Sequence, residues 1–383
     1  MEFALVTASL STALVLSNAA SILLAASQLK RRTTIERPAG KSPAVSIVIP
    51  SRGVEPFTQE TLERAFSLDW PRYELIFCVA HGDDPVVRLI RAAIGRFPKV
   101  PARLLIGDDR VSANPKLNNC IKGWEAARHN WVVLADSNVL MPGDYVQHLM
   151  AAWRTDTGLV CSTPIGSRPE GFWAEVECAF LNTLQARWQY AGEALGLGFA
   201  QGKSMLWNKP MLDANGGIRA LAAEIAEDAA ATKLVNGLGL RVNLVAAPFE
   251  QPLGRRTLGT IWSRQARWAR LRRVTFPRFF APEILTGAVV PLMLALVAAA
   301  SAGFSLPPVA IAVLAAFYLP ECALAWSKGW HLSPRAVAAM IARDLMLPAM
   351  WARGWLGGAV DWRGNAMIIG TKAAELEETP SRA

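Results

Sequence analysis

The stretch Trp131-Val-Val-Leu-Ala-Asp136-Ser137-Asn138 decides the fold. An unbroken apolar run, rich in valine, predicts a strand buried on both faces, as in a parallel sheet covered by helices. The run stops at a carboxylate followed by two small polar residues. Ligands of open α/β sheets bind just beyond the carboxyl ends of the strands, which makes Asp136 a candidate site residue. A cap for the following turn is the competing reading of the same aspartate.

Related patterns precede it. Residues 44–50 (AVSIVIP), 73–79 (YELIFCV) and 102–106 (ARLLI) read as strands, with helical patterns at 59–68, 85–97 and 116–128 between them. Strand and helix alternating at this spacing predict an α/β fold with a Rossmann-like, mostly parallel sheet and helices on both faces. Residues 158–163 and 241–246 are candidates for further strands, 172–189 for a long aromatic helix and 227–236 for a shorter one.

Composition narrows the class. A net charge of +9 accompanies 52% hydrophobic residues, too apolar a balance for a nucleic-acid binder. The basic excess points first to an anionic lipid surface and second to a phosphate-bearing ligand. Five scattered cysteines without a C-x-x-C pair read as buried, reduced thiols, and four dispersed histidines suggest no zinc site.

Both ends of the chain carry membrane signals. Residues 3–29 are uncharged and long enough to cross a bilayer, and Lys30, Arg31 and Arg32 follow them. Positive charge behind the apolar run favours an uncleaved anchor over residues 1–29 rather than a signal peptide. Residues 30–43 then form a linker and 44–256 a cytosolic α/β domain, on the inner membrane of a bacterium or an equivalent bilayer. In 257–283, Arg264, Arg267, Arg270, Arg272 and Arg273 interleave with Trp262, Trp268 and Leu271, the pattern of an amphipathic interfacial helix. Residues 284–360 form a C-terminal membrane region with candidate spans at 284–304 and 306–326. Arg343, Asp344 and Arg353 interrupt the apolar stretch after them, which predicts an interfacial or re-entrant segment at 336–360. The tail 361–383 stays cytosolic.

The chemistry-bearing residues come in a fixed order. Asp83-Asp84-Pro85 follows the second strand, and Asn114-Pro-Lys116-Leu-Asn118-Asn119 opens a helix. Asp136-Ser-Asn138 ends the fourth strand, and Glu227-Asp228 precedes Arg264-Gln-Ala-Arg267-Trp268. Each alone is explained as a turn, a cap, a solvated acid or a lipid contact. Together they resemble the membrane-bound inverting glycosyltransferases of the GT-A fold, and more narrowly the ceramide glucosyltransferase family. Gly53-Val-Glu-Pro56, Leu68-Asp-Trp-Pro71, Ala226-Glu-Asp228 and the closing Asp361-Trp-Arg-Gly364 carry the same likeness.

That resemblance implies transfer of one hexose from a UDP-sugar, UDP-glucose first, to the hydroxyl of a membrane lipid such as ceramide. It implies Pro50, Ser51 and Asp84 at the nucleoside, with Lys116, Gly202 and Ser204 near the donor. Asp136 would meet the ribose and diphosphate through Mg²⁺ or Mn²⁺, with Asn138 as a second metal ligand. Asp228 is implied as general base, Arg264 and Arg267 as donors to the leaving diphosphate, and Trp268 as a wall of the acceptor site. The implied partners are the UDP-sugar, the lipid and the bilayer, with no nucleic acid. Many GT-A enzymes carry a second acid where Asn138 stands, and an amide is a weaker, uncharged ligand. Two alternatives remain open: N-acetylglucosamine transfer to a hopanoid lipid, and a non-catalytic membrane protein that binds or transports UDP-sugars.

Overall fold

The computed structural model describes residues 1–35, 42–356, 359–362 and 365–368. Parts of the expected linker 30–43, of the Asp361-Trp-Arg-Gly364 stretch and of the tail 361–383 lie outside the described residues. The strands are β1 (Val45–Pro50), β2 (Tyr73–Val79), β3 (Ala102–Ile106), β4 (Trp131–Ala135), β5 (Thr157–Cys161), β6 (Ile165–Glu170), β7 (Ser204–Asn208), β8 (Arg241–Leu244) and β9 (Glu250–Arg255). Two short strands follow at Ala359–Trp362 and Asn365–Ile368.

Seven strands form one sheet in the order β3-β2-β1-β4-β7-β5-β8. β1 pairs in parallel with β2 and β4, β2 with β3, and β5 with β8. The sheet is mostly parallel, as expected. The exception is β7, which runs antiparallel between β4 and β5. The sequence reading misses β7 because its residues SMLWN show no alternation and follow a Gly-Lys-Ser turn.

The β1 strand is buried along its whole length, as its continuous apolar run requires. On one face Ile47, Ile49, Phe77 and Val133 pack against Leu62, Phe66, Val86 and Ile90 from the covering helices. Each such side chain contributes about 1.5–3 kcal/mol by leaving water. On the helix Pro115–Ala126, a side chain at Gly123 would collide with Val48 and Cys78. Glycine there lets the helix lie flush on β1 and β2, which fixes where its first turn ends up.

The chain divides into two compact units. Among the described residues, one is built from Thr33–Pro164 and Gly196–Pro252, and the other from Met1–Arg32, Ile165–Leu195 and the segment that begins at Leu253. An unbroken α/β domain over 44–256 is therefore not what forms. Residues 165–195 join the apolar helices because Val176, Phe180 and Leu184 cluster with Ile261, Phe317, Tyr318 and Met340. The expected helix 172–189 runs to Ala194, with a π-helical stretch at Ala179–Ala186.

Within that second unit, the helices Glu2–Gln28 and Leu306–Lys328 are long and apolar enough to cross a membrane. The expected span 284–304 is not one helix. The pieces Pro277–Leu285 and Val289–Ser301 meet at a bend of 45°. The 13 residues of the second piece reach only about 20 Å, short of a bilayer core of about 30 Å. Residues Ala336–Trp355 form one continuous helix rather than a chain reversal. Its charges are buried and paired: Arg343 meets Glu321 at 3.0 Å and Asp344 at 2.7 Å, and Arg187 meets Glu321 at 2.9 Å. Two guanidiniums facing two carboxylates make a neutral cluster, the arrangement that apolar surroundings tolerate.

Candidate active site

The carboxyl ends of β1, β2 and β4 lie on one edge of the sheet. Because β7 is antiparallel to β4, its entry turn arrives at that same edge, with Ala135 opposite Ser204. The Asp136 N–H donates to the Lys203 carbonyl at 2.9 Å, continuing the ladder by one residue. A one-residue change of this register would carry the turn's side chains to the other face of the sheet.

Asp136 is held from two sides. The Lys116 ammonium lies 2.7 Å from Oδ1 and the Lys203 ammonium 2.8 Å from Oδ2. Lys116 also donates to Glu227 Oε1 at 2.7 Å and to the Gly202 carbonyl at 2.5 Å, which uses all three of its protons. Glu227, buried at the start of the helix Glu227–Gly237, accepts a further bond from Asn114 Nδ2 at 2.7 Å. Asn114 in turn caps its own helix by accepting from the Lys116 and Leu117 N–H groups at 2.9 and 3.2 Å. The Asn114-Pro-Lys116 stretch thus binds two acids supplied by distant parts of the chain.

Asp228 is one residue further along. Its carboxylate accepts the Gly202 N–H at 3.1 Å and the Ala229 N–H at 2.9 Å. A Cβ on Gly202 would stand 2.7 Å from Glu227 Oε1 and 2.8 Å from Lys116 Nζ, so a side chain there would push the ends of this ion pair aside. Burial and the neighbouring Glu227 charge push the Asp228 carboxyl up to about 6, outweighing Lys116 and the two N–H donors. Asp136 goes the other way: burial opposes its ionisation, but Lys116 and Lys203 hold it well below the usual carboxylate range. The Asp136 and Glu227 carboxylates in turn hold Lys116 well above the ordinary lysine value despite its burial. Two carboxyls in one network are thereby set apart, one firmly ionised and one poised near neutrality.

Other expected residues stand differently. Asp84 accepts the Gly53 N–H at 3.0 Å and the Val86 N–H at 2.9 Å, tying the loop after β1 to the helix Val86–Arg96. Pro50 ends β1, and Ser51 is buried with its hydroxyl bonded to the Ile49 carbonyl at 3.2 Å. Ser204 is fully buried and its hydroxyl is taken by Tyr145 at 2.8 Å, so it packs beneath the edge instead of facing a donor. A shallow pocket within this unit is lined by Arg52, Gly53, Ser137 and Asn138, among others.

In the other unit, Arg264, Arg267 and Trp268 share the helix Leu258–Thr275. Arg264 is ion-paired with the fully buried Glu177, which also lies 3.3 Å from Arg256. The Arg264 guanidinium lies 5.9 Å from the Trp268 ring centre, and Trp268 packs on Cys178, Leu181 and Leu253. Glu177 passed unnoticed in the sequence because it lies inside an aromatic helix pattern.

The ordered acids, the lysine-bearing cap and the membrane helices agree with the match of residues 13–374 to the profile of glycosyl transferase family 21. The chain belongs to this family. Ceramide glucosyltransferase 3 of Caenorhabditis elegans is 26% identical over 334 residues, covering 85% of the chain and 73% of that protein. Ceramide glucosyltransferase 1 of the same organism is 28% identical over 64% of the chain, which spans only 53% of its length. Among solved structures, a mannosyltransferase from Pyrobaculum calidifontis in complex with GDP-Man and Mn²⁺ covers 89% of the chain and 99% of its own. Its identity is 19% and its TM-score 0.46, a likeness too loose to bear on ligand or mechanism.

For this family 21 glycosyltransferase a divalent cation must be weighed against the residues present. Among the described residues no group of three or more His, Cys, Asp and Glu side chains is arranged to hold a metal. Asp136 Oδ2 and Asn138 Oδ1 do converge on one position, where the Lys203 ammonium stands at 2.8 and 3.0 Å. A carboxylate and an amide oxygen around a stand-in cation fit a magnesium or manganese ion that takes its remaining ligands from water and phosphate. Lys203 is the residue that sequence reasoning passed over; the Gly202-Lys-Ser204 turn was read for its small residues alone.

Proposed function

We propose that this family 21 enzyme transfers one glucose from UDP-glucose to the hydroxyl of ceramide or a closely similar long-chain lipid, with inversion at the anomeric carbon. The observation that carries the reading is Asp228, a carboxylate poised near neutrality on the same network as the firmly ionised Asp136. The names of the two Caenorhabditis elegans relatives support the choice of sugar and acceptor.

Asp228 takes the proton of the acceptor hydroxyl as that oxygen attacks the anomeric carbon and the bond to UDP breaks. A single base acting through direct displacement gives inversion. The Gly202 and Ala229 N–H groups aim its carboxylate, and Lys116 fixes the turn through the Gly202 carbonyl. Pro50, Ser51 and Asp84 shape the edge of the sheet at which the nucleoside binds. Asp136 and Asn138 would hold the divalent cation, which when bound offsets the charge of the departing diphosphate. Arg264, oriented by Glu177, and Arg267 donate hydrogen bonds to diphosphate oxygens, and Trp268 lines the acceptor's path. The cationic Lys30, Arg31 and Arg32 after the first apolar helix support a catalytic domain on the cytosolic side.

A donor-by-acceptor panel read by mass spectrometry tests this. UDP-glucose with ceramide should give the dominant product. A dominant N-acetylhexosamine adduct on a hopanoid, or UDP-sugar binding with no UDP released under any condition, would replace the reading.

A further inference from the structure

Lys203 is a cation placed where a metal ion would go. Its ammonium bridges Asp136 Oδ2 and Asn138 Oδ1 at 2.8 and 3.0 Å, and its side chain is only 15% exposed. Lys116, on the other carboxylate oxygen, is fixed by three acceptors in distinct parts of the chain. The two lysines thus sit on opposite oxygens of one carboxylate, and it is Lys203 that shares its position with the Asn138 amide oxygen. Lys203 is anchored at its backbone by the bond from the Asp136 N–H, so its side chain can turn while the strand edge stays paired. In this network Lys203 pairs with Asp136, and Lys116 pairs with both Asp136 and Glu227. A dication added to Asp136 with Lys203 still in place would meet a like charge at contact distance, whereas an incoming diphosphate offers that lysine new oxygens.

We propose that Lys203 is an internal counter-ion that occupies the cation position in the nucleotide-free enzyme. A divalent ion and a nucleoside diphosphate arriving together displace it, and its ammonium moves onto the diphosphate oxygens. The metal and the nucleotide are then coupled: each binds weakly alone and strengthens the other by the same factor. The nucleotide half rests on the donor reading above; the competition between lysine and metal does not.

The test is Mn²⁺ binding to the full chain in detergent, followed by the electron paramagnetic resonance of free Mn²⁺, without and with UDP. Lys203→Met and Lys203→Gln remove the charge, Lys203→Arg keeps it, and a thermal melt of each variant checks folding. Without nucleotide, the neutral variants should bind Mn²⁺ at least about tenfold more tightly than the native chain, and Lys203→Arg should behave as native. Adding Asp136→Asn to Lys203→Met should abolish the gain. UDP should tighten Mn²⁺ binding to the native chain about tenfold or more, and clearly less in the neutral variants. Neutral variants that bind Mn²⁺ no more tightly than the native chain without nucleotide would overturn the inference. If UDP changes Mn²⁺ binding in none of the proteins, the donor reading and the displacement fail, while the nucleotide-free series still decides whether Lys203 competes with the metal.

Discussion

Asp228 is ionised at neutral pH against the preference of its surroundings. Its folded value of about 6 lies above the ordinary aspartate value of about 3.9, so folding favours the protonated form. The sign follows: the stability it contributes is present at low pH and is lost as pH rises through about 6. Asp228→Asn should therefore melt a few degrees above the native chain at pH 8, with the difference shrinking toward pH 5. The catalytic consequence has the opposite sense. The turnover rate should climb as pH rises through about 6 and then level off, because the base must be unprotonated. A flat pH–rate profile between pH 5 and 8 would remove Asp228 from the chemistry. At this scale the sequence shows which groups the fold gathers and says less about how they are held. Asp136, Lys116, Gly202 and Asp228 do meet in one network. Ser204 points inward to Tyr145 because its direction is set by the register of β7, which no local pattern reveals.

Elements explain why a glycine and a lysine count for so much. The turn before β7 passes between Lys116, Glu227 and Asp228, so that a methyl group at Gly202 would displace the ends of Lys116 and Glu227. Gly202→Ala should weaken UDP binding at least about tenfold, with calorimetry as the measurement, while circular dichroism shows the sheet retained. Unchanged UDP affinity would mean that the turn is not part of the donor site. The parallel strands were legible in the sequence because their apolar runs are long and doubly buried. The strand β7 was not, since a short strand inserted antiparallel between β4 and β5 is specified by its neighbours rather than by its own periodicity. The helix Leu258–Thr275 makes a similar point. Its pattern reads as an interfacial helix with Arg264 and Arg267 turned to a diphosphate. The sequence does not reveal that Arg264 is tied to Glu177 or that Arg272 makes a two-pronged bond to Glu283 at 2.7 and 2.8 Å.

At the scale of the whole molecule, the unit that holds the apolar helices carries its own electrostatic lock. Arg187, Glu321 and Arg343 are completely buried, and the N-terminal helix joins them through Asn18, which binds Arg187 and donates to the Phe317 carbonyl at 3.2 Å. Removing one partner leaves charges buried without compensation. Glu321→Ala should cost about 3–5 kcal/mol, visible as loss of folded protein in detergent, although the chain still partitions into membranes. Stability equal to the native chain would show the cluster to be dispensable. From sequence, Arg343 and Asp344 interrupt an apolar segment, and partners such as Glu321 and Arg187 on other helices cannot be matched without the fold.

The most direct measurement is the rate of glucosylceramide formation by the purified full chain from UDP-glucose and ceramide with Mg²⁺, compared with Asp228→Asn, with UDP affinity determined on both. The expected outcome is product from the native chain, a rate at least about 100-fold lower for Asp228→Asn, and UDP affinity within about threefold of native. Full activity in Asp228→Asn, or no transfer to ceramide by a native chain that binds UDP, would contradict the assignment of base and acceptor.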